Sequence, residues 1–362
     1  MNTKPTPDRF MKIPSLILAG CSCLAITHGQ ADPNQLPNLR GIPVAQRTIL
    51  PLDFTWPANP GQAALCLWKD DKTAALSYTI DDNNVGDTTW WINEAAQRDL
   101  RLTWFLVASG ISVNNPSMNG TWEQWRTVRD AGHALESHTM THLSGSHNPD
   151  TWQGLHWEYE GSKIRIQDNI GNGHKVTTLA YPGGAYPAAN DPAVAALYYA
   201  AARGTTGTLN AAQNINYLSV NAMSKANLGT NPANAFSNAD NMLTLNPSYK
   251  QGYRGWAVII YHSINQSDPA VVAKTHAELD YAVTHRDQLW VGSFNDVARY
   301  GQSRETSTLT VTENTANRIT FQLTDRMDDS VFDFPLTEKV RLPDHWSNAV
   351  AIQNGPPAPV QL

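Results

Sequence analysis

The most restrictive feature of this 362-residue chain is an alternation, from about residue 63 to residue 302, of short apolar runs with segments of helical periodicity. Such alternation predicts a parallel β-sheet covered by α-helices, either open or closed into a barrel. Seven strands are predicted, at 74–79, 102–108, 134–137, 177–181, 201–205, 257–261 and 289–293. Helices are predicted between them, at 88–98, 121–131, 157–170, 192–199 and 269–285. Seven strands fit a barrel-like arrangement.

The segments outside this region differ from it in character. Residues 1–31 combine a short basic start, an apolar core and small residues before Asp32, which predicts a signal peptide and a secreted, periplasmic or extracellular protein. The residues before Cys21 resemble a bacterial lipoprotein cleavage box, so a lipid anchor at Cys21 is the alternative to simple secretion. Residues 32–62 are rich in proline and predict an extended arm. Residues 303–362 alternate apolar and polar residues, which predicts a small β module.

Charge and composition exclude several classes of partner. The formal net charge is −6, and no basic stripe is present to neutralise phosphates, which argues against nucleic-acid binding. Apart from the N-terminal segment, no apolar run reaches the roughly 18 residues of a transmembrane helix, so no membrane span is predicted. Of the three cysteines, only Cys66 lies outside the predicted signal peptide, so no disulfide framework is expected.

Polar residues follow several of the predicted strands. Asp81 and Asp82 end the first strand, and the third runs into His138 and His142. A proline and glycine turn at 182–184 follows the fourth strand, Arg203 ends the fifth, and His262 ends the sixth. Because active sites of parallel α/β folds form at the carboxyl ends of the strands, these side chains are predicted to share one rim.

The two histidines of this rim have the spacing of metal ligands. Residues four apart project from one side of a helical turn, so His138 and His142 are predicted to reach a single ion together with a carboxylate from another strand. Three protein ligands leave positions open for water and substrate, which is typical of a catalytic rather than a structural zinc site.

From about residue 74 to residue 300 the sequence resembles the polysaccharide deacetylase family, also called the NodB homology domain or carbohydrate esterase family 4. The ordered motifs of that family are a T-F-D-D strand end, an H-[ST]-x-x-H, a proline-rich turn and a late apolar strand that ends in His. The matching segments here are TIDD at 79–82, HTMTH at 138–142, AYPGG at 180–184 and IIYH at 259–262. The resemblance implies a distorted (β/α) barrel with seven or eight parallel strands, to which the small C-terminal β module is added.

The resemblance also implies a role for each matched residue. Asp82, His138 and His142 would hold a divalent metal, most simply Zn²⁺, with Co²⁺ or Ni²⁺ as alternatives. Asp81 would be the general base and His262 the general acid. The backbone N–H of Gly183 would stabilise the oxyanion, and the substrate would contact Tyr181, Pro182 and Ile260.

The chain departs from the family pattern in several places. Asn83 replaces the usual glycine after Asp-Asp, and Ala180 stands where many members carry an arginine that pairs with the base. Arg203, at the end of the next strand, is the candidate replacement, although a surface ion pair is an equally reasonable interpretation of it. Ser263 follows His262 where many members have Asp, and Asp296 is a candidate for orienting that histidine instead.

These features predict a metal-dependent hydrolase that removes N-acetyl groups from an amino-sugar polymer or oligomer, with an acetylated carbohydrate as its partner. An O-acetyl esterase, acting for example on acetylated xylan, is the first alternative. The second is a non-catalytic carbohydrate-binding protein that keeps a rim of tryptophans and a vestigial site.

Overall fold

The computed structural model describes residues 10–14, 23–26, 46–52, 56–113, 116–142, 152–184, 190–224, 241–245, 252–353, 357–358 and 360. The chain divides into two compact units. Among the described residues, one unit contains those of 73–299, and the other contains those before residue 73 and from residue 300 onward.

The unit of residues 73–299 is built on a parallel sheet of eight strands. The strands are β4 (Ala74–Asp81), β5 (Thr103–Leu106), β6 (Ala134–Ser137), β7 (Thr178–Ala180), β8 (Ala201–Arg203), β9 (Met223–Ser224), β10 (Trp256–Tyr261) and β11 (Leu289–Val291). Their order is β8-β7-β6-β5-β4-β10-β9, and β11 also pairs with β4. Every residue of β4 is buried, as expected of a central strand covered on both faces. The sheet is curled and barrel-like, which confirms the predicted distorted (β/α) barrel.

The register of the strands brings their carboxyl ends to one edge. Asp81 of β4 pairs with Phe105 of β5, and Leu106 at the end of β5 pairs with Ser137 at the end of β6. On the other side of β4, Tyr261 at the end of β10 pairs with Ile80. The last residues of β7 and β8, Ala180 and Arg203, are also opposite each other. The loops that leave these strands therefore meet at the same edge of the sheet.

The helices of this unit pack their apolar faces on the sheet. They are α1 (Thr88–Arg98), α2 (Pro116–Asn119), α3 (Trp122–Asp130), α4 (Trp152–His156), α5 (Ser162–Ile170), α6 (Asn190–Tyr198), α7 (Pro269–Thr284) and α8 (Phe294–Thr306), the last of which contains the boundary with the other unit. One hydrophobic core, with Trp91, Trp104 and Trp125 fully buried, joins helices and strands. None of the helices in the described ranges is both long enough and apolar enough to cross a bilayer.

Most predicted elements of this unit lie within a few residues of the observed ones. The predicted helix 157–170 is not regular throughout, because its first five residues form a π-helical turn, Trp157–Gly161, between α4 and α5. Of the strands and α-helices of this unit, β9, α2, α4 and α8 were not predicted. The two compact units divide at residues that differ from the predicted domain boundaries at 63 and 303. α8 runs through residue 303, and β3 (Ala63–Leu65) pairs outside the barrel sheet.

The second unit contains short sheets, mainly antiparallel. In the first, β14 (Thr337–Arg341) lies between β1 (Phe10–Pro14) and β3. In the others, β12 (Thr308–Asn314) pairs with β13 (Ile319–Thr324), and β15 (Val350–Gln353) pairs with β2 (Cys23–Ile26). Thus residues 63–65, predicted to begin the barrel, belong to the same sheet as part of the predicted C-terminal β module. The predicted signal peptide is described only at β1 and β2, and Cys21 lies outside the described residues.

Candidate metal centre and active site

Three predicted ligands converge at the carboxyl edge of the barrel sheet. Oδ1 of Asp82 lies 3.4 Å from Nε2 of His138 and 3.1 Å from Nε2 of His142. One ligand atom from each residue fits within 4.8 Å of the others, and among the described residues this is the one such group of His, Cys, Asp or Glu. One carboxylate and two imidazoles are therefore arranged as a possible site for a divalent cation.

The buried ligand of this group is held by a backbone contact. His138 is 2% exposed, and its Nδ1 lies 2.8 Å from the carbonyl oxygen of Ala180. When a metal is bound, Nδ1 would carry the proton and donate to this carbonyl, which leaves the lone pair of Nε2 free to bind the metal. Ala180 thus contributes its carbonyl oxygen at the motif position where many family members carry an arginine.

The two histidines meet by a different geometry from the one their spacing predicts. Residues 138–142 do not form a helical turn: Thr139 and His142 have φ angles of 68° and 61°. The prediction of a helical turn is therefore wrong, although the two rings do approach each other, with centroids 4.8 Å apart. The segment is an irregular loop at the end of β6, and its backbone hydrogen bonds are made with the loop after β5 and with Glu158 rather than along a helix of its own.

The second carboxylate, Asp81, lies beside the group and is paired differently. Asp81 is 3% exposed, and its Oδ1 accepts a hydrogen bond from Nη2 of Arg203, which is fully buried. The other oxygen of Asp81 lies 3.8 Å from Nε2 of His138. The Arg203 guanidinium also lies over the ring of Phe105, with its Cζ 4.8 Å from the ring centroid. Arg203 is therefore a buried partner of Asp81 and not a surface ion pair.

Asn83 occupies the position after the two aspartates, where the family pattern has glycine, and its conformation and hydrogen bonds show why glycine is not required. Asp82 and Asn83 have φ angles of 69° and 52°, in the left-handed region that asparagine and aspartate tolerate better than other side chains do. The Asn83 amide exchanges two hydrogen bonds with the backbone of Val107, donating to its carbonyl at 2.8 Å and accepting from its N–H at 2.9 Å. Glycine would supply the conformation but neither hydrogen bond. Sequence reasoning treated this residue only as a departure.

His262 lies at the open side of the site. Its Nε2 is 3.6 Å from Oδ2 of Asp82, and its side chain is 57% exposed. The loop that carries it is fixed to the loop after β4, because Asn84 donates to the carbonyl of His262 at 3.0 Å and Ile264 N–H donates to Asp87 at 2.6 Å. Sequence reasoning missed Asn84 and Asp87.

The suggestion that Asp296 orients His262 is wrong. The carboxylate of Asp296 pairs with Arg101 and Arg299, at 2.7 and 2.6 Å. Both carboxylate oxygens of Asp296 are therefore engaged, one by Arg101, which precedes β5, and the other by Arg299 of α8. The loop that carries His262 is held instead by the loop that follows β4, through Asn84 and Asp87.

The remaining predicted residues lie around the same edge. Pro182 is buried, and Gly183, with a φ of 65°, is exposed in the turn that follows β7. Tyr181 is buried, and its hydroxyl donates to the carbonyl of Leu218 at 3.0 Å, so this hydroxyl points into the protein. Ile260 is 3% exposed in β10.

The predicted rim of tryptophans is only partly on the described surface. Trp91 and Trp125 are fully buried and Trp122 is 8% exposed, so these residues belong to the core. Trp157 is 53% exposed, and Trp56 and Trp90 are half-buried.

The electrostatics of the group favour an ionised Asp82. Burial on its own raises the pKa of this carboxyl, but hydrogen bonds from His138 and His142 outweigh burial and hold the pKa well below its usual range. The same hydrogen bond, from His142 to Asp82, raises the pKa of the His142 imidazole. An ionised carboxylate beside two imidazoles is the charge arrangement that attracts a cation.

Fold and site define a parallel α/β barrel with a three-ligand candidate metal site at the carboxyl edge of its sheet. Residues 69–202 match the family model for polysaccharide deacetylase, and this match covers the two aspartates, both ligand histidines and the proline-rich turn. Residues 69–202 are therefore similar to the polysaccharide deacetylase family, known also as carbohydrate esterase family 4, as the sequence motifs predict.

Individual relatives were found in both sequence and structure. The chain is 39% identical over 344 residues to a gellan lyase of a Bacillus species, and the match covers 90% of this chain but 13% of that protein's length. A Mycobacterium smegmatis structure described as a polysaccharide deacetylase has 15% identity and a TM-score of 0.48, covering 68% of this chain and 95% of the other. A family 4 carbohydrate esterase from Streptomyces lividans, in complex with acetate, has 19% identity and a TM-score of 0.39, covering 61% and 93%.

Proposed function

We propose that the chain is a divalent-metal-dependent carbohydrate deacetylase that hydrolyses N-acetyl groups of amino sugars. The observation that carries this proposal is the pair of adjacent carboxylates with separate partners. Asp82 faces two imidazoles, whereas Asp81 is buried against Arg203 beside them. A site with a cation ligand and a second carboxylate in reach of the same space suits hydrolysis by activated water.

The residues present fit a divalent cation. The donor set is one carboxylate and two imidazoles. The contact of His138 Nδ1 with the Ala180 carbonyl is compatible with an Nε2 lone pair that binds a metal, and Asp82 and His142 are about one-third exposed. When bound, a divalent cation supplies Lewis acidity, which lowers the pKa of water and polarises a carbonyl oxygen. Zn²⁺ is the first choice for this donor set, and Co²⁺ or Ni²⁺ are the alternatives.

The protein groups then divide the proton transfers between them. Asp81, held in place by Arg203, accepts the proton of the attacking water, because a buried carboxylate with one oxygen engaged keeps the other for this role. The exposed imidazole of His262 donates a proton to the departing amine. The N–H of Gly183, in the exposed turn after β7, shares the negative charge of the oxyanion. Pro182, Tyr181 and Ile260 shape the wall of the site.

O-deacetylation remains a second candidate, since an alkoxide leaving group needs less assistance from His262 and the same residues would serve. The substrate panel should therefore hold chitin oligomers, peptidoglycan, poly-N-acetylglucosamine and acetylxylan. Gellan is added because a relative is named for its action on gellan.

The proposal is tested by acetate release from this panel, with Zn²⁺, Co²⁺ or Ni²⁺ added and with EDTA. Wild-type protein should release acetate from at least one amino sugar, and EDTA should abolish the release. His142→Ala should lose both metal and activity, whereas His276→Ala, a matched histidine that contacts Glu94 away from the site, should keep them. Stoichiometric metal with no acetate release from any substrate would instead support a binding protein.

We also propose that residues 1–31 direct export. N-terminal sequencing of protein recovered from a secreting host should begin at Asp32, or at a lipid-modified Cys21 if the lipoprotein signal is used. Recovery of intact cytoplasmic protein with Met1 or Met11 at its N-terminus would contradict both.

A further inference from the structure

Residues 139–142, the loop that carries the candidate ligand His142, have an unusual backbone. Thr139 and His142 both have positive φ angles, 68° and 61°. For a non-glycine residue the left-handed conformation is sterically strained. The loop belongs to neither a helix nor a strand, so no regular ladder of hydrogen bonds offsets this cost. Its conformation must be imposed by specific contacts.

Two of these contacts are local. The N–H of Thr139 donates to Oγ of Ser137 at 3.1 Å, and the N–H of His142 donates to Oγ1 of Thr139, also at 3.1 Å. Short hydroxyl-to-backbone bonds of this kind shape a turn, but they do not attach it to the rest of the protein.

The other two N–H groups of the loop bind one residue, Glu158. The N–H of Met140 donates to the Glu158 carbonyl at 3.0 Å, and the N–H of Thr141 donates to Oε2 of its side chain at 3.0 Å. The Thr141 hydroxyl donates to the remaining oxygen, Oε1, at 2.6 Å. Glu158 is 1% exposed, so a buried carboxylate engages the residue directly before His142 with both of its oxygens.

The position of Glu158 in its own helix also connects it to the loop of residues 139–142. It lies in the π-helical turn Trp157–Gly161, and such turns occur frequently at functional sites. The turn also packs closely on the loop, since a Cβ placed on Gly161 would lie 3.1 Å from Cε of Met140. Backbone, side chain and packing of one turn therefore act on the same two loop residues, Met140 and Thr141.

We propose that Glu158 is a positioning residue that holds His142 in place to bind the metal. The inference rests on the proposed function, because it assumes that a divalent cation occupies the Asp82–His138–His142 group. Glu158 touches no ligand candidate through its side chain and acts through Thr141. Residues that orient metal ligands in this way typically contribute about 10–100-fold to metal affinity.

The test measures metal binding rather than activity. On the full chain, the Kd for Zn²⁺ and Co²⁺ is determined by competition with a chromogenic chelator, with the visible spectrum of bound Co²⁺ as a report on ligand geometry. Glu158→Leu should weaken the Kd by about 10–100-fold and alter the Co²⁺ spectrum. Glu158→Gln should stay within about threefold, since an amide oxygen can accept from the Thr141 N–H while the amide N–H donates to the hydroxyl.

Two further variants keep the test decisive. Thr141→Val removes only the hydroxyl bond and should weaken the Kd by less than Glu158→Leu does, which leaves a measurement if the latter does not fold. Glu278→Leu is the matched control: Glu278 is a similarly buried carboxylate, bound to the Tyr261 hydroxyl, and its loss should lower the melting temperature without changing the Kd.

The outcomes separate this inference from the proposed function. A wild-type Kd in both Glu158→Leu and Thr141→Val, or an equal weakening in Glu278→Leu, would overturn the role of Glu158. A wild-type protein that binds neither Zn²⁺ nor Co²⁺ would overturn the metal site itself, and with it the proposed deacetylase.

Discussion

Replacement of Arg203 by methionine tests the organisation of the site most directly. The guanidinium is fully buried, and Asp81, 3% exposed, is its carboxylate partner. Arg203→Met keeps most of the side-chain volume but leaves the carboxylate buried and without its cation. Among the described residues, Nε and Nη1 of Arg203 have no hydrogen-bond partner, so the contact with Asp81 is the principal polar interaction that the variant removes.

The expected magnitude follows from this burial. At an effective dielectric constant of about 20, unit charges about 4 Å apart attract by about 4 kcal/mol. Removal of one partner from a buried ion pair typically costs about 3–5 kcal/mol, because the other charge stays desolvated. At about 2–4 °C per kcal/mol for a domain of this size, the melting temperature should fall by roughly 6–20 °C.

The assay is thermal unfolding in EDTA, so that no bound cation compensates Asp81, followed by a double-mutant cycle. Asp81→Asn combined with Arg203→Met removes both charges, so the double variant should be more stable than the sum of the single losses by about 2–3 kcal/mol. Arg254→Met, which removes another fully buried guanidinium outside the site, controls for lost packing. If Arg203→Met melts within about 2 °C of wild type, or if the cycle is additive, the pairing does not stabilise the site and the reasoning fails.

Three other perturbations have definite expected results. Burial lowers the pKa of His133 to about 4, so between about pH 6.5 and pH 4 the unfolded chain binds a proton that the native state does not bind. The free energy of unfolding should therefore fall by up to about 3 kcal/mol as the pH drops through this range. His133→Asn should flatten this part of the stability curve measured by urea unfolding. Asn83→Ala should cost about 2–4 kcal/mol, from two lost hydrogen bonds to Val107 and a strained φ, and Asn83→Gly should lose less because only the hydrogen bonds are removed; equal losses in urea unfolding would contradict this division. Gly184→Ala should lower the melting temperature and acetate release together, because its φ is 71° and a Cβ would lie 1.9 Å from Oγ1 of Thr205; a variant with wild-type values for both would show that the turn adapts.

Much of the barrel was predictable because its information is local. Fully buried parallel strands are largely apolar runs, so β4 and β10 were located nearly to the residue. Helices of regular periodicity, such as α1, were placed equally well. The short strand β9 and the π-helical turn at Trp157–Gly161 carry no periodic pattern, and only packing against their neighbours defines them.

The predicted site residues divide in the same way. That Asp82, His138 and His142 would meet was inferred from the positions of strand ends, which are local, together with the family motif. The loop geometry of the two histidines was predicted wrongly, because i and i+4 spacing suggests a helix only if the backbone hydrogen bonds are internal. Here Glu158, sixteen residues beyond His142 in the chain, supplies two of them. The sequence signal that could have identified Glu158 was a carboxylate on the buried face of its helix.

The sequence by itself determined which chemical groups lie at the strand ends, because strand order and apolar patterning place the carboxyl ends on one edge. Only the tertiary structure decided which partner each group has. Arg203 reaches Asp81 from a strand 122 positions away, and the Ala180 carbonyl fixes the ring of His138. Such pairings depend on strand register and on burial, which turn a solvated charge into one that must be paired, and neither quantity is encoded in any short stretch of sequence.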